Sequence, residues 1–219
     1  VTSLIEAFFP PKKMTINIEG MEYEGDYAAD GVEPKATAEA PQPGFAIYYD
    51  VDSYTMVKEG DITYIRPYLK SMTREEVLEI YGDFLSSLSE EEQEQQIASL
   101  MNPQAAPSLP NCEIEIIHLD IPYAQTASQE RAELEGQWEI TEAVAGNRIT
   151  FSMCNGQEWD SPIEVRDYFS DEQGGCFRIT SRYYLEAAEG HGVRFAAIVN
   201  TFSVISPQGS ADPISDDAP

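Results

Sequence analysis

Two helix-start signatures, Thr73-x-x-Glu76 and Ser89-x-x-Glu92, sit in the middle of a chain that elsewhere alternates polar and apolar residues. Each is a capping box, in which side chain and backbone satisfy orphan amide donors reciprocally at a helix N-terminus. After the first box, Val77, Ile80, Tyr81, Phe84, Leu85 and Leu88 recur at helical spacing. This predicts a helix over 73–88 whose apolar stripe is buried against a sheet. After the second box, Ile97, Leu100 and Met101 come late, and Asn102-Pro103 ends the helix. The pair reads as a helical hairpin or one kinked helix. Flanked by strand-like segments on both sides, it constrains the chain to α+β with antiparallel pairing.

The strand signals are period-two alternations. Met14, Ile16 and Ile18 share one face of "MTINIE". Residues 22–44, acidic and rich in Ala, Pro and Gly, read as a long exposed loop. "FAIYYD", "SYTMVK" and "ITYIRPYL" read as a three-stranded meander joined at Asp50-Val51-Asp52 and Glu59-Gly60-Asp61. Strands are expected near 113–121, 137–144, 148–154, 163–169, 176–186 and 193–205. The 137–144 and 148–154 pair is a β-hairpin, because Gly146-Asn147 suits a two-residue turn. The expected fold is therefore α+β: a curved, mostly antiparallel sheet, an open half-barrel or barrel-like, with a helical hairpin packed on one face. Residues 1–205 read as a single domain, with an internal boundary at the Pro-rich 102–111 and an acidic tail over 206–219.

Gly136-x-Trp138, at the head of the 137–144 strand, resembles the Gly-x-Trp with which lipocalins open their first barrel strand. That resemblance implies a closed barrel holding a ligand. Residues 139–205 are few for eight long strands, so an open sheet with Trp138 as a core anchor is the main reading. A helix laid on an open half-barrel is also similar to bacterial lipoprotein-carrier proteins, a likeness of architecture without a shared motif.

Hydrophobic residues make up 42% of the 219, enough for a sizeable core. Thirteen basic against 39 acidic residues give a net charge of −26, which repels nucleic acid and anionic membranes. The acidity also fits adaptation to high salt. No apolar run approaches the roughly 20 residues needed to span a bilayer. The N-terminus has neither the basic start nor the apolar core of a signal peptide, but the chain opens at Val1 and not at methionine, so the expectation is an extracytoplasmic protein, secreted or envelope-anchored, whose targeting segment has been removed.

Three cysteines, Cys112, Cys154 and Cys176, show no CxxC spacing. At most one bridge is available, and Cys154 with Cys176 is its candidate, on condition that their strands are direct neighbours. Asp50, Asp52, Glu59 and Asp61 read as solvated turn acids, and His118 and His191 fall in no metal-binding spacing. Neither a cofactor nor a metal is expected, and no nucleophile motif stands out. One grouping is less expected in so acidic a chain. On "CFRITSRYYL", Arg178 and Arg182 share a face with Cys176, Thr180 and Tyr184. They form either a binding strip for carboxylate or phosphate, or cross-strand pairs with Glu139, Glu142 or Glu164.

The expected function is a noncatalytic binding or interaction module of the bacterial cell envelope or exterior, with a small ligand held between helices and sheet. Its alternatives are a hydrolase or isomerase built on a carboxylate pair, and a protein–protein interaction domain that uses tyrosine-rich strands.

Overall fold

The structure, a computed structural model, describes residues 3–35, 41–68, 71–102 and 112–207. Nearly all of the 102–111 stretch and most of the 206–219 tail lie outside them. The described chain is α+β with curved antiparallel sheets, one of them curled into a half-barrel. The smaller sheet has the order β1-β2-β3-β11, formed by Lys12–Ile18, Met21–Val32, Gly44–Asp50 and Ser203–Ile205. The larger has the order β4-β5-β6-β10-β9-β8-β7, formed by Tyr54–Glu59, Ile62–Pro67, Glu113–Leu119, Cys176–Tyr184, Pro162–Ser170, Arg148–Cys154 and Glu139–Ala145. Strands β4 and β7 are its two edges, so the sheet is open rather than a closed barrel. The helices are α1 (Leu4–Phe8), α2 (Arg74–Leu85), α3 (Glu90–Met101), α4 (Tyr123–Leu134) and α5 (Val193–Val199).

Period-two alternation makes each strand two-faced, and in the larger sheet both faces are used. One face carries Tyr54, Ile65, Ile114, Ile116, Phe177 and Ile179 into a core shared with the smaller sheet and α5. Phe45 on β3 meets Phe177 edge-on at 5.6 Å between ring centroids, and Tyr54 meets Phe195 of α5 at 5.7 Å. The other face receives α4, whose Ala127 and Leu134 pack on Phe151, Met153 and Tyr168. Trp138 lines this second cluster as an anchor.

Several expectations change. Residues 21–32 are not loop but a twelve-residue strand, Met21–Val32, because pairing to both β1 and β3 overrides the poor strand propensity of its Gly and Asp residues. Gly31 is required there: a Cβ on it would lie 2.0 Å from the Phe45 carbonyl oxygen on β3. The expected meander is split. Its first strand, β3, belongs to the smaller sheet and β4 and β5 to the larger, with the chain crossing between sheets at 51–53. The 193–205 segment is helix and then strand, since Phe195, Ile198 and Val199 fit helical spacing as well as a continuous apolar run.

The hairpin α2–α3 forms with both capping boxes closed. Its buried side chains, Val77, Leu85 and Ile97, pack with Met72, Leu88 and Leu100 in a cluster of their own. Phe84, expected to be buried against a sheet, is 57% exposed. The helix on the second face of the larger sheet is α4, which periodicity reading misses because its inward face is Thr126, Ala127, Glu130 and Leu134, with a charge where an apolar residue would signal burial.

Candidate functional site: a charged ring and an exposed helical face

The arginine strip lies on the α4-covered face of the larger sheet. Register places Thr180 of β10 opposite Glu115 of β6 on one side and Arg166 of β9 on the other, while Arg182 lies opposite Glu164. With Glu130 reaching down from α4, six side chains close a ring of alternating sign. Arg166 Nη1 donates to Glu130 at 2.6 Å, and Arg178 Nη1 donates to the other Glu130 oxygen at 2.6 Å. Arg178 Nη2 donates to Glu115 at 3.2 Å, and Arg182 Nη1 to the second Glu115 oxygen at 3.0 Å. Arg182 Nε donates to Glu164 at 3.0 Å, and Arg166 Nε returns to Glu164 at 2.5 Å. Tyr168 adds a hydroxyl donor to Glu130 at 2.7 Å. Toward β4 the network continues through Glu113, Arg66 and Glu59.

Strand pairing explains why the ring exists. Side chains directly opposite in adjacent strands lie within about 5.5 Å at Cβ, and diagonal neighbours remain within reach of long side chains. Opposite charges at those positions on three strands therefore meet without strain. Three guanidiniums and three carboxylates leave the ring itself neutral. The carboxylate of Glu130 feels burial first, which raises its pKa. The Tyr168 hydrogen bond and the attraction of Arg178 and Arg166 together outweigh that and hold it below the ordinary carboxylate value.

The sequence-predicted residues Arg178 and Arg182 are thus brought together, but with carboxylates at their forks. Of the partners foreseen, Glu164 is correct. Glu142 instead pairs with Arg131 of α4, and Glu115 and Glu130 complete the ring. Among the described residues, two buried polar side-chain atoms have no hydrogen-bond partner, Arg178 Nε and Thr180 Oγ1, both on this face.

Cys154 and Cys176 are both free, and the topology forbids their bridge. Strand β9 lies between β8 and β10, and strands two apart are ~9 to 10 Å distant. Alternation also turns the two thiols to opposite faces, Cys176 beside Thr126 and Cys154 into a groove. That groove, on the sheet face opposite α4, has a volume of about 250 Å³ and is lined by Glu139, Thr141, Ser152, Cys154, Val165 and Tyr183, among others.

The histidines do separate structural jobs. His118 Nε2 lies 2.8 Å from Asp171, whose other oxygen accepts the Gln173 and Gly175 amides and so holds the β9–β10 turn. His191 Nδ1 lies 3.0 Å from the Tyr54 hydroxyl, at a single π-helical turn. Asp50 accepts the Asp52 amide in its own turn. Glu19 and Glu189 bring two carboxyls together on the open surface, and the hydrogen bond to Glu19 raises the Glu189 pKa.

Most strand tyrosines go inward: Tyr27, Tyr48, Tyr49, Tyr54 and Tyr168 are buried, Tyr64, Tyr183 and Tyr184 are half-buried, and Tyr23 on β2 is exposed. Exposed apolar side chains such as Phe8, Met21, Val144 and Trp159 are spread over the described surface, and four of them fall together on α2. Ile80 is 63% exposed, and Leu78, Tyr81 and Phe84 are also open. No family model matches the chain, and no curated protein matches it in sequence.

Proposed function

We propose that the protein is a noncatalytic binding or interaction module of the cell envelope or exterior, and that it engages a protein partner through the outer face of the α2–α3 hairpin. The observation that carries this reading is the mismatch between the apolar arc of α2 and what α3 covers. At about 100° per residue, Ile80 through Leu78 span roughly 160° of the helix surface. The neighbour α3 buries Val77 and Leu85 and leaves Ile80 and Phe84 open. Adjacent large apolar side chains left in water mark an interaction surface. The sheets supply a rigid frame, with the ring and the α4 cluster holding one face and the shared core the other.

A photo-crosslinking residue at position 80, compared with one at the equally open Trp159, tests the reading in extracts of the native host. Crosslinks from position 80 that disappear in Phe84→Asp support it. Equal labelling from both positions refutes it. The extracytoplasmic setting is carried over from the sequence reading and is tested by protease treatment of intact cells, which degrades the protein only if it is outside.

A second reading draws on the open groove beside Cys154 and Tyr183, which at about 250 Å³ has room for a small fragment-sized molecule only. Ser152→Trp would fill it, and loss of a copurifying small molecule in that variant, by native mass spectrometry, would favour this site over the hairpin.

A further inference from the structure

We infer that the partner of the hairpin is a basic amphipathic helix, docked with its apolar side on Ile80 and Phe84. The inference rests on the interaction reading above and specifies its chemistry. Between residues 74 and 101 the hairpin carries eight carboxylates against the single Arg74, and Arg74 is already paired with Glu94 across the two helices. The carboxylates are not remote from the apolar edge. At about 100° per residue, Asp83 three positions on and Glu76 four positions back neighbour Ile80 on its uncovered flank, so a helix lying on Ile80 also lies near them. Both acids are exposed, as are Ile80 and Phe84.

Charge decides among occupants. A second copy would bring another net charge of −26, including the same acidic hairpin, onto this surface. Like charges juxtaposed in an interface disfavour the wrong partner. An acidic or neutral partner would leave the flanking carboxylates partly desolvated without compensation. A lysine- or arginine-rich helix with apolar residues at i, i+3 or i+4 matches both the apolar edge and its acidic border, packing on α2 helix against helix. The same acidic field raises the encounter rate for a cationic partner and makes association depend on salt.

The test uses the full chain and a fluorescent leucine/lysine peptide of about 18 residues patterned as an amphipathic helix, with a scrambled peptide of identical composition and a leucine/glutamate counterpart. At about 0.15 M salt, fluorescence polarisation should show the patterned basic peptide binding at least tenfold more tightly than the scrambled one. Ile80→Asp with Phe84→Asp should weaken it by at least tenfold, and Phe84→Ala alone by a smaller factor, with far-UV circular dichroism unchanged. Equal binding of patterned and scrambled peptides, or undiminished binding to the double variant, overturns the inference. Tighter binding of the leucine/glutamate peptide overturns the charge assignment while leaving the hairpin as the contact surface. A dimer in analytical ultracentrifugation that Phe84→Asp dissociates does the same, by making a second copy the occupant.

Discussion

Arg178 on β10 and Glu130 on α4, joined by a 2.6 Å hydrogen bond, are the point at which helix and sheet close one ring of alternating charge. Glu130 also takes Arg166 and Tyr168, so its loss would leave two half-buried guanidiniums short of a counter-charge. Removing one partner of a buried pair costs more than the pair contributes, because the other charge stays desolvated. Glu130→Ala should therefore destabilise the protein by about 3 kcal/mol in urea unfolding. A loss under about 1 kcal/mol would reduce the ring to surface ion pairs.

The same carboxylate predicts an acid response. Its pKa in the fold lies below the ordinary value of 4.5. The unfolded chain therefore takes up this proton first as pH falls, and stability present above that value is lost from there down through the lowered pKa. Melting temperature should fall as pH drops below about 5, and more shallowly in Glu130→Gln than in the parent chain. Parallel curves would assign the acid loss to other carboxylates.

His191 predicts a second transition at higher pH. Burial, aided by Arg194, holds its pKa below the ordinary 6.5. The fold prefers the neutral ring, so stability is complete above 6.5 and declines as pH falls from there toward the lowered pKa. Imidazole resonances of His191 should titrate below those of a free histidine in NMR, and His191→Phe should remove the stability slope just under pH 6.5. A midpoint at or above the ordinary value would mean that the ring is open to water.

Thiol chemistry checks the strand order. Cys112 and Cys176 are buried, and burial pushes the Cys112 pKa up to about 11 and raises that of Cys176. Cys154 is the accessible one. In the folded protein one thiol should react rapidly with an aromatic disulfide reagent and three after denaturation. A Cys154–Cys176 peptide in a non-reducing digest would contradict the placement of β9 between β8 and β10.

Two phenylalanines separate core from contact surface. Phe151, 1% exposed under α4, should cost about 3 to 5 kcal/mol on truncation to alanine. Phe84, exposed on α2, should cost under about 1 kcal/mol. Comparable losses for both would bury the hairpin face and remove it as a docking site.

Local chemistry by itself determined the parts of this protein that depend on neighbours in sequence. The two capping boxes start α2 and α3, and alternation marks β1, β6, β8 and β10. Gly146, at φ 59°, makes the two-residue turn that pairs Ala145 with Arg148. The shared face of Arg178 and Arg182 was legible in the same way, because strand period assigns faces without any partner. Tertiary structure decided the rest. Which strand lies beside β10 selects Glu115 and Glu164 as partners and excludes the Cys154–Cys176 bridge, and strand order is set by packing across long sequence separations rather than by any residue's own preference. Helix α4 carries Glu130 inward, where it is stabilised only because two strands, β9 and β10, supply its donors. Ile80 and Phe84 read as core because apolar periodicity records what a helix can bury, and only the fold shows that α3 covers half of the stripe and leaves the other half in water.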